Sequence, residues 1–149
     1  WIDNFGTIAA VGLTTGATAM RMALENFKVK TISVVTPYPP VGDDNVRRFF
    51  GDIGFKVKHI HGLCRPSATA IAETPISMVT DAVRKVDGDD VDAIVQVGTN
   101  LSTVDQFPTL EHWLGKPCIP INVATAWHAL RAVGIKDKVT GRGRLFEEF

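Results

Sequence analysis

Val91-Asp92-Ala93-Ile94-Val95-Gln96-Val97, followed at once by Gly98-Thr99-Asn100-Leu101-Ser102, is the stretch on which the fold turns. Its apolar, β-branched run is short and predicts a central strand. The glycine that ends it, with small polar residues behind it, predicts a sharp exit into a loop. Upstream, Thr31-Ile32-Ser33-Val34-Val35 has the same character and predicts a second buried strand. It stops at Thr36-Pro37-Tyr38-Pro39-Pro40, where prolines remove backbone donors and close off both strand and helix.

Between and around these strands lie helix-length segments. Gly16–Phe27 places Ala19, Met20, Ala23, Leu24 and Phe27 on one stripe. Asp43–Asp52 predicts a helix with Val46, Phe49 and Phe50 inward. Phe55–His61 alternates, which sets Phe55, Val57, His59 and His61 on one face and Lys56, Lys58 and Ile60 on the other. Ser67–Val86 is a long helical pattern capped by Ser67 and interrupted at Pro75, and Asp87–Asp90 is a turn. A helix from Pro108 to Leu114 ends at Gly115, Cys118–Ile121 is the last strand, and Asn122 caps a final helix that ends at Gly134. Thr7–Thr15 predicts a strand or an extended lead-in. Alternation of strand and helix without repeats or linkers predicts one α/β domain over residues 1–149, with a doubly wound, open parallel sheet. In such a sheet, ligands sit at the carboxyl ends of the strands, where the strand order switches.

Composition limits the function. The 16 basic and 16 acidic residues cancel, so there is no basic surplus to attract nucleic acid or an anionic membrane. No apolar run is long enough to span a bilayer, and Trp1–Phe5 lacks the order of a secretory signal. Cys64 and Cys118 show no metal or redox spacing, and a cytoplasmic setting is expected. No dinucleotide fingerprint is present. Gly141-Arg142-Gly143-Arg144 lacks the strand-to-helix context and reads as a turn presenting Arg144 for an ion pair.

The strand-end loops hold the candidate site. After Val97, the backbone N–H groups around Gly98, with Thr99, Asn100 and Ser102, suit an oxyanion or carboxylate, although the same donors would also cap a helix. Tyr38, the only tyrosine, is held between prolines, and its hydroxyl can either donate to a carboxylate or lie in water at a rim. His59 and His61 share a face, but no third ligand is suitably spaced, so no metal is expected. His128 reads as structural and Cys118 as inert core, while Cys64 has an arginine neighbour that could lower its pKa, although an inert cysteine is the commoner state.

Several of these stretches are familiar together. Thr14–Ala19 and the helix after it, Thr31–Tyr38, Asp92–Leu101, Leu114–Pro117, Asn122–Gly134 and Gly143–Phe146 resemble, in order, the maleate cis–trans isomerases and arylmalonate decarboxylases of the aspartate/glutamate racemase superfamily. The resemblance implies a two-lobed pseudosymmetric fold with the site between lobes, small carboxylate substrates and no cofactor. It begins about halfway along the family pattern. The chain is therefore expected to be one lobe plus the last strand and helix of the other, with the N-terminal lobe missing. Apolar surface left by that lobe would favour a homo-oligomer.

The resemblance also ranks reactions. It places Tyr38 at the carboxylate-binding tyrosine, Gly98 at a backbone donor, and Val97 where the second-lobe cysteine is expected. Valine cannot move a proton, which disfavours decarboxylation and two-thiol racemisation. Isomerisation of a dicarboxylate through a first-lobe cysteine survives that loss. The expected function is a cofactor-independent, maleate isomerase-like enzyme binding a small dicarboxylate through Tyr38, Gly98, Thr99 and Asn100. The alternatives are a non-catalytic carboxylate-binding module and an arylmalonate decarboxylase-like lyase.

Overall fold

A computed structural model describes residues 12–149. In chain order the elements are α1 (Gly16–Asn26), β1 (Thr31–Thr36), α2 (Pro40–Asp52), β2 (Lys56–Gly62), α3 (Ala68–Ala72), α4 (Ile76–Val86), β3 (Ala93–Gln96), α5 (Phe107–Leu114), β4 (Cys118–Pro120), α6 (Ile121–Ala132) and α7 (Arg144–Glu148). The four strands form one parallel sheet in the order β2-β1-β3-β4. The chain moves one way from β1 to β2 and the other way to β3 and β4, so the order switches between β1 and β3. This is the expected α/β architecture.

Both faces of the sheet are covered, because successive strand residues point to opposite sides. Ile32, Val34, Ala93, Val95 and Ile119 pack with Ala19, Met20 and Leu24 of α1, Phe50 of α2, Val123 and Trp127 of α6, and Leu145 and Phe146 of α7. Val35, Ile94 and Cys118 face the other way, against Val79, Ala82, Val83 and Val86 of α4 and Phe107 and Leu110 of α5. Among the described residues no helix is long and apolar enough to cross a membrane.

Five local expectations need correction or limits. Helix α2 begins at Pro40 rather than Asp43: Pro39 is its extended cap, and Pro40 occupies the first turn, where a missing N–H goes unneeded. In β2 the alternation breaks at a register shift, with Ile32 opposite Val57 but Ser33 opposite His59. Lys58 is the extra residue, so Val57 and Ile60 both join the core cluster that holds Ile32 and Val34. The last strand hydrogen-bonds to β3, which makes Cys118–Pro120 part of this sheet rather than of another lobe. Asn122 does not cap α6, whose cap position is Pro120. The extended segment expected over Thr7–Thr15 lies mostly outside the described residues, and residues 12–15 form neither strand nor helix.

Other boundaries fall as expected. Ser67 accepts from Ala70 N–H and caps α3, Pro75 separates α3 from α4, and Gly115 ends α5 in the left-handed region at φ 67°. The closing segment adds α7, where Arg144 Nε pairs with Glu148 at 2.5 Å.

Candidate functional site

Where β1 and β3 end, a cleft of about 500 Å³ opens toward solvent. Val97, Gly98 and Thr99 line it from the end of β3, and Tyr38 from the end of β1. Asn45, Val46, Phe49 and Phe50 of α2 form a mainly apolar wall, with Ala17 of α1 and Ile121 of α6 beyond. No Lys or Arg is among the described residues that line it. The donors these residues offer an anion are neutral.

Tyr38 is fixed from several directions. Its N–H donates to Thr36 Oγ1 at 3.0 Å, and the Thr36 hydroxyl donates to Asp43 Oδ1 at 2.5 Å. Its carbonyl accepts from Cys64 N–H at 3.3 Å, while Arg65 N–H reaches Pro37 O at 2.9 Å. A Cβ on Gly42 would stand 2.6 Å from Tyr38 Cβ, and one on Gly62 would collide with Asp43 and the Tyr38 carbonyl. The side chain thus fits where neighbouring residues have none. Its hydroxyl lies over Gly98, 3.5 Å from where a Cβ would be. Gly98 itself has φ 98°, and any Cβ would come within 2.6 Å of the Pro37 ring. Only glycine meets both demands.

Behind the β3 loop is a fully buried amide. Gln96 Nε2 donates to Val97 O at 2.7 Å and to Gly98 O at 2.8 Å, and its Oε1 accepts from the buried Thr103 hydroxyl at 2.8 Å. Asn122 Nδ2 donates to Thr99 O at 2.8 Å. Three successive loop carbonyls are therefore engaged from within the protein. Gln96, Thr103, Asn122 and Asp43 were not singled out from the sequence as site residues. The available signal was a glutamine inside the apolar run Ala93–Val97, since a polar side chain buried in a strand must find partners.

Of the sequence-stretch candidates, Tyr38, Val97, Gly98 and Thr99 meet in this one cleft. Asn100 does not: it is exposed, and its side-chain amide donates to Ala68 O, tying the loop to α3. Cys64 is exposed on the loop after β2, in the left-handed region at φ 48°, and does not line the cleft. Cys118 is buried, and burial pushes its thiol pKa far up, so it stays protonated. His128 Nδ1 is 3.1 Å from Thr14 Oγ1, and His59 Nε2 lies 3.6 Å from Asp90 Oδ1. No group of three metal-ligating side chains occurs among the described residues.

Comparison with known proteins follows the same outline. The profile of the arylmalonate decarboxylase family matches residues 3–146. A maleate isomerase of Pseudomonas putida is 27% identical over 138 residues, which cover 92% of this chain and 55% of the relative. An arylmalonate decarboxylase of Bordetella bronchiseptica is 28% identical over 144 residues, 93% of this chain and 60% of the relative. The Nocardia farcinica maleate cis–trans isomerase, solved with a covalently bound succinylcysteine intermediate, aligns with a TM-score of 0.87 at 25% identity. That alignment covers 90% of this chain and 55% of the isomerase. The chain thus spans little more than half the length of the curated relatives it matches.

Proposed function

This chain belongs to the arylmalonate decarboxylase family, and from that membership we propose that it is the carboxylate-holding part of a maleate isomerase-like enzyme acting on a small dicarboxylate without a cofactor. The observation that carries the reading is the convergence of Tyr38, Gly98 and Thr99 on one cleft at the β1/β3 switch. The Tyr38 hydroxyl and the backbone N–H groups of Gly98 and Thr99 hold one carboxylate of the substrate. Asn100, engaged with Ala68, has no direct part.

Val97 occupies the position where the resemblance expects a thiol, and neither cysteine of this chain faces the cleft. We assign the nucleophile to the portion of the family's length that this chain does not span. A thiolate from there adds to one alkene carbon and forms a C–S bond. The alkene electron pair moves onto the neighbouring carboxylate as an enediolate. Rotation about the former double bond, now a C–C single bond, follows, and elimination breaks the C–S bond to leave the trans-alkene and the thiolate. No redox change occurs. The negative charge gathers on the carboxylate faced by Tyr38, Gly98 and Thr99, where preorganised neutral donors stabilise it most.

Incubation of the full-length protein, including the portion that carries this thiolate, with maleate, followed by proton NMR, should show loss of the cis-alkene signal and growth of the trans-alkene. Tyr38→Phe should lower kcat roughly a hundredfold, the typical loss of one oxyanion donor. The apolar wall of Val46, Phe49 and Phe50 favours a second reading, a carboxylate bearing an apolar group. Turnover of an arylmalonate without turnover of maleate would decide for it. Tight dicarboxylate binding with no turnover of either would leave a binding module.

A further inference from the structure

Gln96 has no obvious reason to be an amide. It is fully buried, on the sheet face that also carries Val35, Ile94, Cys118 and the small Ser33. An apolar residue there would fill the same space without polar groups to satisfy. What the amide adds is direction. A peptide unit is planar and trans, so a carbonyl and the following N–H point opposite ways. With the Val97 carbonyl held inward at 2.7 Å, the Gly98 N–H is turned outward. With the Gly98 carbonyl held inward by Gln96 at 2.8 Å and by Leu101 N–H at 3.1 Å, the Thr99 N–H is turned outward too. Neither N–H donates to any backbone acceptor among the described residues. Asn122 holds the next carbonyl, that of Thr99, in the same manner at 2.8 Å.

The two carbonyls, which can only accept, settle which end of the amide does this, and Thr103 holds the other end. Its hydroxyl reaches Gln96 Oε1 at 2.8 Å. The reversed amide would set Oε1 against two carbonyl oxygens and leave Nε2 facing a hydroxyl. No Lys or Arg lines the cleft among the described residues, so the two freed N–H groups join the Tyr38 and Thr99 hydroxyls and the Asn45 amide as its neutral donors.

We propose that Gln96, oriented by Thr103, is a positioning residue that turns the Val97 and Gly98 carbonyls inward and thereby presents the Gly98 and Thr99 N–H pair to one carboxylate in the cleft. The proposal rests on reading the cleft as a carboxylate site, and adds the device that sets its donors.

The test is a titration of the ¹⁵N-labelled protein with maleate and with malonate, read at the backbone amides. It is run on the wild type, Gln96→Met, Thr103→Val and Thr103→Ser, each with its melting temperature. In the wild type the Gly98 and Thr99 amide signals should move on titration. Gln96→Met and Thr103→Val should each raise Kd by about tenfold or more, the loss of one well-placed hydrogen bond to a charged group. Thr103→Ser, which keeps the hydroxyl, should bind like the wild type. If Gln96→Met fails to fold, Thr103→Val, near-identical in shape, decides. A merely structural role predicts lower melting temperatures with unchanged Kd, and that result would overturn the proposal. So would binding by the wild type that leaves the Gly98 and Thr99 amides unmoved. If neither anion binds the wild type at all, the carboxylate reading itself falls and takes the proposal with it.

Discussion

The two ends of the sheet treat their backbone groups in opposite ways. At the end where the strands begin, carboxylates close off N–H donors. Asp92 Oδ2 accepts from Lys30 N–H at 2.9 Å and from Thr31 N–H at 2.8 Å. Buried Glu111 accepts from Cys118 N–H at 3.0 Å, at the start of β4, and from Arg144 N–H at 2.7 Å, at the start of α7. At the end where the strands finish, amides close off carbonyls instead: Gln96 takes two and Asn122 a third. Asp92 and Glu111 use up N–H donors, whereas Gln96 and Asn122 use up carbonyls and leave the Gly98 and Thr99 N–H groups without a backbone acceptor among the described residues. The choice between acid and amide side chains gives the two ends different chemistry on the same kind of backbone.

Exchanging the side-chain types should break the contrast most severely at Gln96. Gln96→Glu puts a buried carboxylate against two carbonyl oxygens, with only the Thr103 hydroxyl as donor. The expected loss is about 3 kcal/mol or more at neutral pH, the scale of an uncompensated buried charge. Burial raises the pKa of the new acid, and its protonated form can donate to one carbonyl. The variant is therefore least unstable in acid and loses stability as pH rises through that pKa. Urea denaturation on both sides of neutrality measures this. Stability equal to wild type at alkaline pH would mean that the loop does not need the Gln96 donors.

The same contrast explains what the sequence could disclose. Strands β1 and β3 and their glycine- and proline-marked exits were legible because apolar runs and chain breakers are local signals. So were Tyr38, Val97, Gly98 and Thr99, which follow directly from where those strands stop. The partners that set the loop's direction were not. Thr103 is seven residues from Gln96 and Asn122 is farther still from Thr99, and a hydrogen bond across that distance leaves no periodicity. Asn100 and Asn122 show the limit well: they are chemically identical, and only folding sends one to Ala68 and the other to Thr99. The bulge at Lys58 was hidden for a similar reason, since it is defined against β1 rather than within β2.

A smaller effect is expected at the other end. Glu111→Gln keeps one acceptor but turns an NH₂ group toward either Cys118 N–H or Arg144 N–H. The buried mismatch should lower stability by about 1–3 kcal/mol in a denaturant series. Replacement by the amide with no loss would show that water or a backbone shift can satisfy those donors, and that Glu111 is not what closes this end.

Asp92→Asn should have the smallest effect, up to about 1 kcal/mol, because Asp92 is exposed and water can replace part of what it supplies. Its interest lies in sign. The N–H groups of Lys30 and Thr31 hold the Asp92 carboxyl below its ordinary range. A lowered acid contributes stability above its unfolded pKa and loses it as pH falls through the folded value. Glu111 is shifted the other way, chiefly by burial, against the pull of Arg144 and Cys118 N–H. Its contribution is complete below the ordinary glutamate pKa and lost as pH rises through the raised one. Melting temperatures followed from about pH 6 down to pH 3 should thus fall less steeply in Asp92→Asn than in wild type. In Glu111→Gln they should fall more steeply, because the gain wild type draws from protonating Glu111 is gone. Equal slopes in all three proteins would mean that neither carboxylate's charge is coupled to folding, and that this end of the sheet is closed by geometry alone.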